Sequence, residues 1–307
     1  MALNKEIWQQ SLVENFYPSN SFAEKSVDDS VYVSNHKVHI PNAGAPSGVK
    51  KNRQTKPATV NQRTDNDLEY VIDELTTDPI YIPNIDTVEL SYDKRNSILQ
   101  NDKSQLQEVA HVNLLERWGK LVPKEQVILT TGSKERDAHT SATSIGKRKR
   151  ICKDDVINLM TKFDADNIPE GDRYLLLDAH MYADLLADLA DTDKWAFTNS
   201  ADVQRGILGN LYGFNIMKRS KVLRVKNDKT LLPWDEAGEA GELAAALAWH
   251  KLSVSRAMGE VKMFDSENNP LYYGDIYSFL LRTGGSVRRY DKKGIYLLAE
   301  AAKQKEV

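Results

Sequence analysis

The sequence predicts an α+β protein organised around one long helix, and three observations carry that expectation. Tyr92 to Trp118 contains neither Pro nor Gly and spaces Leu99, Leu106, Val109, Ala110, Leu114 and Trp118 at intervals that return to one helix face. At 1.5 Å per residue this helix would be on the order of 35 Å long. Asp154 to Val225 then alternates short helical and strand-like segments, the mixture of an α+β domain. From Val261 to Leu298 a series of short apolar segments, broken by glycines, reads as closing strands.

The chain has 307 residues, about twice a typical domain, so one large or two interleaved domains are expected. The hydrophobic fraction of 41% is ordinary for a globular protein, and the net charge of only -3 argues against a dedicated nucleic-acid binder. Cys152 is the single cysteine, which excludes an intrachain disulfide and a thiolate zinc cluster. The start, Met-Ala-Leu-Asn-Lys-Glu, is not that of a secretory leader, and no stretch approaches a bilayer-spanning length. A reducing, aqueous setting with no membrane partner is expected.

Asn4 to Phe16 places Ile7, Trp8, Leu12, Val13 and Phe16 at helical spacing, and Pro18 stops the pattern. Such a short amphipathic helix either docks as an arm on another subunit or folds back on its own domain. Tyr32 to Ile40 reads as a strand closed by the turn formers from Pro41 to Gly48. A charge inversion follows. Ser30 to Arg63 has no acidic residue but holds Lys37, Lys50, Lys51, Arg53, Lys56 and Arg63. Thr64 to Asp93 has no Lys or Arg but holds Asp65, Asp67, Glu69, Asp73, Glu74, Asp78, Asp86, Glu89 and Asp93. Two extended limbs of opposite charge either pair as a hairpin or each meet a complementary limb on a neighbour, where charge fixes register and partner choice.

Beyond the long helix, Thr130 to Arg150 is small and polar and reads as a mobile loop ending in the basic run Lys147, Arg148, Lys149 and Arg150. That run is either a solvated loop or a contact to nucleic-acid phosphates. Asp154–Phe163 and His180–Leu189 read as helices flanking a strand at Arg173–Leu177. Gly206, Gly209 and Gly213 mark turns before a strand pair at Phe214–Ile216 and Val222–Val225. An acidic loop from Leu231 leads into an Ala-rich segment from Leu243 to Ala257. The closing strands, Val261–Phe264, Asp275–Arg282, Ser286–Tyr290 and Ile295–Leu298, are arranged around Gly284-Gly285 and Gly294. Glu300 to Val307 reads as a fraying tail.

The search for chemistry nominates no catalytic, cofactor-binding or metal-ligating residue. Gly146-Lys147 lacks the upstream glycine and the following Ser or Thr of a phosphate loop. Asp164-x-Asp166 opens like a calcium loop, but Pro169 stands where the sharp-turn glycine belongs. Gly206, Gly209 and Gly213 are wrongly spaced for a dinucleotide turn. The histidines are scattered, and His36 and His39, three apart in an expected strand, point to opposite faces. A soluble α+β enzyme with an uncatalogued site remains an alternative class.

Taken in order, the pieces resemble the major capsid proteins of tailed phages, the Hong Kong 97-type shell fold shared with bacterial encapsulins. "EIWQQSLVENFYPSNSFAEKSVDDSVYV" with "KVHIPNAGAP" looks like the family's N-terminal arm and first strand. "VKKNRQTKPATVNQRTDNDLEYVIDELTTDPIYIP" looks like its extended hairpin, the E-loop, which reaches across a neighbour. "SYDKRNSILQNDKSQLQEVAHVNLLERW" looks like its spine helix. "RYLLLDAHMYADLLAD" and "FTNSADVQRGILGNLYGFNIMKRSKV" are similar to its axial domain, and "LAWHKLSVSRAMGEVKMF" and "YGDIYSFLLRTGGSVRRYDKKGIYLLA" to its closing region.

The resemblance implies an arm at 1–35, a peripheral-domain strand at 36–48, the E-loop at 49–85 and a peripheral domain with spine helix at 86–125. An axial domain at 126–255, peripheral strands at 256–290 and an axial closing strand and tail at 291–307 follow. It implies hexamers and pentamers of an icosahedral shell around double-stranded DNA, no cofactor, a separate scaffolding protein and a portal. The protein would be made in a bacterial cytoplasm and end in the virion. Intersubunit contacts would fall on Trp8 and Phe16, on Lys50, Lys51, Arg53 and Arg63, and on Asp65, Asp67, Glu69, Asp73 and Glu74. Lys147, Arg148, Lys149 and Arg150 would be the DNA-facing candidates. Lys50, Lys51 and Lys56 are the hairpin lysines that a covalent cross-link of the kind some members make would use. The encapsulin-type shell is the sister alternative.

Overall fold

The computed structural model describes residues 17–302 except 45, 55, 56, 58, 59, 61, 84–93, 203 and 205, and omits the side chains of 94–98. The expected arm helix with Trp8 and Phe16, Lys56 and the tail beyond 302 lie outside the described residues. In chain order the strands and helices begin with β1 (Val27–Asp28), β2 (Lys37–Asn42), β3 (Asn66–Val71), β4 (Asp73–Thr76), β5 (Ile80–Pro83) and α1 (Lys94–Lys120). They continue with β6 (Val127–Leu129), β7 (Glu135–Asp137), β8 (Lys147–Lys149), α2 (Lys153–Ala165), β9 (Arg173–Asp178), α3 (Ala179–Asp188) and α4 (Asp191–Asn199). The remainder are β10 (Gly209–Leu211), β11 (Phe214–Arg219), β12 (Leu223–Val225), β13 (Leu243–His250), β14 (Val254–Met258), β15 (Lys262–Asn269), β16 (Gly274–Val287), β17 (Ile295–Ala299) and β18 (Ala301–Ala302).

A seven-stranded sheet in the order β10-β11-β9-β13-β17-β6, with β12 also on β13, forms one half of the molecule. Every residue of β9, β13 and β17 is buried. Strands covered on both faces need apolar side chains at both parities, which is why they read as continuous runs and not as alternations. In β13 the parities divide the work. Ala245, Leu247 and Trp249 join the core that holds Leu114, Leu115 and Trp118 of α1. Ala244, Ala246 and Ala248 face the opposite core with Val156, Leu159 and Phe163 of α2 and Met181 and Leu185 of α3. Small side chains on the second face let the two helices lie close to the sheet.

The second sheet is built on β16, a single 14-residue strand. It pairs with β14 at one end, with β15 along the other, and with β4 and β5 across its opposite edge. The long helix α1 joins the halves. Leu106 and Ala110 pack on Phe279 and Leu281 of β16, while Leu114, Leu115 and Trp118 enter the first core. Trp118 is fully buried, donates its indole N–H to the Ser255 carbonyl at 2.9 Å, and meets Phe22 edge-on and Trp249 at a tilt. Gly285 permits that approach: a Cβ there would lie 2.3 Å from Leu114 Cδ1 and 2.8 Å from the Ser255 carbonyl oxygen.

Several expectations are corrected. Gly284 and Gly285 do not turn the chain. They lie inside β16, which runs unbroken through the gap expected between two strands; Gly285 is pressed by α1 and Gly284 by the Tyr70–Ile72 segment. The expected strand at Tyr32–Ile40 starts only at Lys37 and continues through Pro41 and Asn42. Ser30–Tyr32 is a 3-10 turn, and Asn35 and His36 are left-handed, so His36 lies in a turn. Phe214–Arg219 and Leu223–Val225 are strands but not partners: β11 pairs with β9 and β10, and β12 with β13. Thr130 to Arg150 is not a bare loop, because β7 and β8 pair there, and β18, from the expected fraying tail, adds to β8. The helix α4, absent from the sequence expectations, follows α3.

Candidate assembly surfaces

The acidic limb finds most of its counter-charges within the chain. β2 and β3 form an antiparallel pair in which Lys37 meets Glu69 at 3.1 Å and His39 meets Asp67 at 2.7 Å. Arg63 pairs with Asp65 at 2.6 Å. That guanidinium, with the Gly44 backbone N–H, holds the Asp65 carboxyl below the usual carboxylate range. Asp73 is held by Arg117 of α1, and Glu74 by Arg282 of β16 at 3.0 Å. The carboxylates expected to reach a neighbour therefore set the register of the chain's own hairpin and its seat on α1 and β16. Most are more than a third exposed, so each pair contributes little stability on its own.

The basic limb is different. Between β2 and β3 the described residues of the loop are almost all exposed and form no strand. Val49 is 99% exposed and Val60 94%. Lys50, Lys51 and Arg53 make no ion pair with any described residue. The stretch from Val49 to Val60, with four basic residues, two bare valines and no carboxylate, is poorly covered for an isolated globule.

Apolar side chains are also exposed on the β15–β16 hairpin. Both faces of β15 are open, with Met263 and Phe264 half exposed, and the connecting turn carries Leu271, Tyr272 and Tyr273 outward. Tyr81 of β5 donates its hydroxyl to the Tyr272 carbonyl at 2.6 Å, fixing the turn against the neighbouring strand. No helical or strand periodicity drew attention to this site. Its available signal was three large apolar residues directly after Pro270, in a segment where turn formers dominate. A groove of about 380 Å³ lies beside it, between α1 and the β4–β5 segment, lined by Leu75, Asp78, Ile80, Asp102, Leu106 and Val109.

The basic run Lys147–Arg150 is largely spent inside the molecule. Arg148 is 3% exposed and donates to the Glu242 carbonyl at 3.0 Å. Lys147 meets Asp137 at 2.7 Å, and Arg150 donates to the Glu135 carbonyl at 3.0 Å and approaches Asp184 at 3.5 Å. As a DNA-facing patch the run loses Arg148 to burial, a placement that alternating burial along a strand produces and a loop reading hides.

Beneath this hairpin lies a cluster of buried charge. Arg136 of β7 bridges Asp184 of α3 at 3.1 Å and Glu300 between β17 and β18. His139 Nε2 lies 2.9 Å from Asp178, the residue that caps α3 by accepting from the Met181 N–H at 2.7 Å. Burial raises the Glu300 and Asp184 carboxyls, Glu300 despite Arg136 beside it. The cluster ties β7–β8 and the β17–β18 junction to α3. No substrate-sized groove opens onto it among those found in the described residues, which also hold no cluster of three metal-ligating side chains.

Comparison with protein-family models finds no match, and no curated protein matches. Solved structures do match, over nearly the whole chain. The capsid of the cyanophage P-SCSP1u aligns with a TM-score of 0.66 at 17% identity, covering 98% of this chain and 94% of its own. A structure from Mycobacterium phage Che8 gives 0.64 at 16%, covering 97% and 98%. The capsid of Ralstonia phage GP4 gives 0.65 at 11%, covering 99% and 97%. The chain has the α+β fold of phage capsid structures.

Proposed function

We propose that this chain is the major capsid protein of a tailed bacterial virus, a structural subunit that carries no catalytic role. In this reading it assembles into hexamers and pentamers of an icosahedral shell enclosing double-stranded DNA, with a separate scaffolding protein and a portal as partners. It is made in the host cytoplasm and resides in the virion. The observation that carries the proposal is the near-complete two-way coverage of the fold match with capsid structures. The exposed apolar hairpin and uncompensated basic loop support it, because both are costly on a monomer and useful on a tile. The division into arm, hairpin, peripheral and axial domains belongs to the same proposal, as do contacts made by Trp8, Phe16, Lys50, Lys51 and Arg53.

Negative-stain electron microscopy with light scattering on the purified protein, alone and with its candidate scaffold, tests the reading. Closed shells or capsomer rings are expected. A monodisperse monomer or dimer under both conditions would overturn it.

A further inference from the structure

The groove between α1 and the β4–β5 segment lies within reach of the chain's own N-terminal segment. Leu75, Ile80, Leu106 and Val109 give it an apolar lining. Val109 is 49% exposed, whereas Leu106, Ala110, Leu114, Leu115 and Trp118 of the same helix are buried. Tyr17, the first described residue, is fixed at the rim. Its hydroxyl donates to Asn101 Oδ1 at 2.6 Å, and Asp102 and Gln105, next to Asn101 along the helix and one turn on, line the groove. From Tyr17 the chain follows α1 to Phe22, which packs edge-on against His111 and Trp118. The residues before Tyr17 therefore join the molecule at the Asp102 end of the groove.

Those residues have the side chains to fill it. Trp8, Leu12 and Phe16 recur every four positions, so as a helix they share one face, with Gln9 at its edge. Such a helix covers about 12 Å from Trp8 to Phe16, and α1 covers about 10 Å from Asp102 to Val109. We propose that in the unassembled subunit Asn4–Phe16 folds back at Pro18 and seats Trp8, Leu12 and Phe16 in this groove of its own chain. Phe16 lies at the Asp102 end and Trp8 at the Val109 end. A contact within one chain does not weaken on dilution, so the cover wins over neighbours while subunits are scarce. The proposal rests on the shell reading in one respect. There Trp8 and Phe16 face a neighbour, so the cover leaves before a subunit is seated.

Two measurements test it. In a Cys152→Ser background, Gln9→Cys with Val109→Cys should give, on oxidation in dilute solution, a monomer with an internal disulfide. Gln9→Cys with Leu252→Cys, an exposed position outside the groove, should give tenfold less. The oxidised first pair should fail to form shells or rings, and reduction should restore them. Covalent dimers instead, equal yields from the two pairs, or shells formed with the disulfide intact would overturn the proposal. Separately, with Val109→Cys as the one cysteine, W8A/L12A/F16A should raise its labelling rate by a soluble thiol reagent tenfold or more. An unchanged rate would overturn the cover. A wild-type chain that never assembles would overturn the shell reading, while the dilute disulfide and labelling results still decide the cover.

Discussion

Trp118, Gly285 and Leu114 occupy one point where the helix crosses the strand, and each constrains the others. Truncating Trp118 to Ala removes one of the two largest fully buried side chains and its hydrogen bond to the Ser255 carbonyl. The expected loss is about 3–5 kcal/mol, read from urea denaturation. Gly285→Ala acts oppositely, by overfilling. Its Cβ meets both a side chain and backbone, so about 1–3 kcal/mol should be lost in the same assay. His111, on the same helix, donates from Nδ1 to the Gln107 carbonyl and meets the Phe22 ring edge-on. Burial holds its imidazole below the usual histidine range. The unfolded chain therefore binds a proton more readily, and stability from this group falls as the pH drops below about 6.5. Melting temperatures at pH 7.5 and 5.5 should differ less in His111→Gln than in the wild type.

At the scale of elements, the β7–β8 hairpin depends on one arginine. Arg136→Ala leaves Glu300, 1% exposed, and Asp184, 9% exposed, without their main cation, an expected loss of about 3–5 kcal/mol. Because the damage is local, trypsin should cut within 130–150 in the variant under conditions that spare the wild type. The sequence made the long helix, α2 and α3 legible by their helical period, and β9 by its continuous apolar run. β7, β8 and β18 were not legible: they are two or three residues long, polar in β7 and β8 and a bare Ala-Ala in β18, and lie over buried ions far apart in sequence. β16 was misread as two strands because a glycine pair signals a turn by propensity, whereas here it answers a helix that crosses 285 from elsewhere in the chain. Of the candidate surface, the charge inversion was plain in the sequence. Which carboxylates are paired within the chain depends on Arg117 and Arg282, far away in sequence, and only the fold brings them near.

For the whole molecule, the order of strands in the sheets is far from their order in the chain. β1 pairs with β14, and the Ser30 hydroxyl bonds to the Met258 carbonyl across 228 residues. Contacts this distant slow folding, so refolding followed by tryptophan fluorescence should take seconds or longer. The same wiring has a consequence during synthesis. β16 is the strand on which β4, β5, β14 and β15 all pair, and β17 lies between β13 and β6. Each is synthesised after every strand that pairs with it. A chain interrupted before residue 274 has neither, so β4, β5, β14 and β15 lack their common partner. In the proposed shell, a subunit cut short before β16 would therefore be kept out by topology alone.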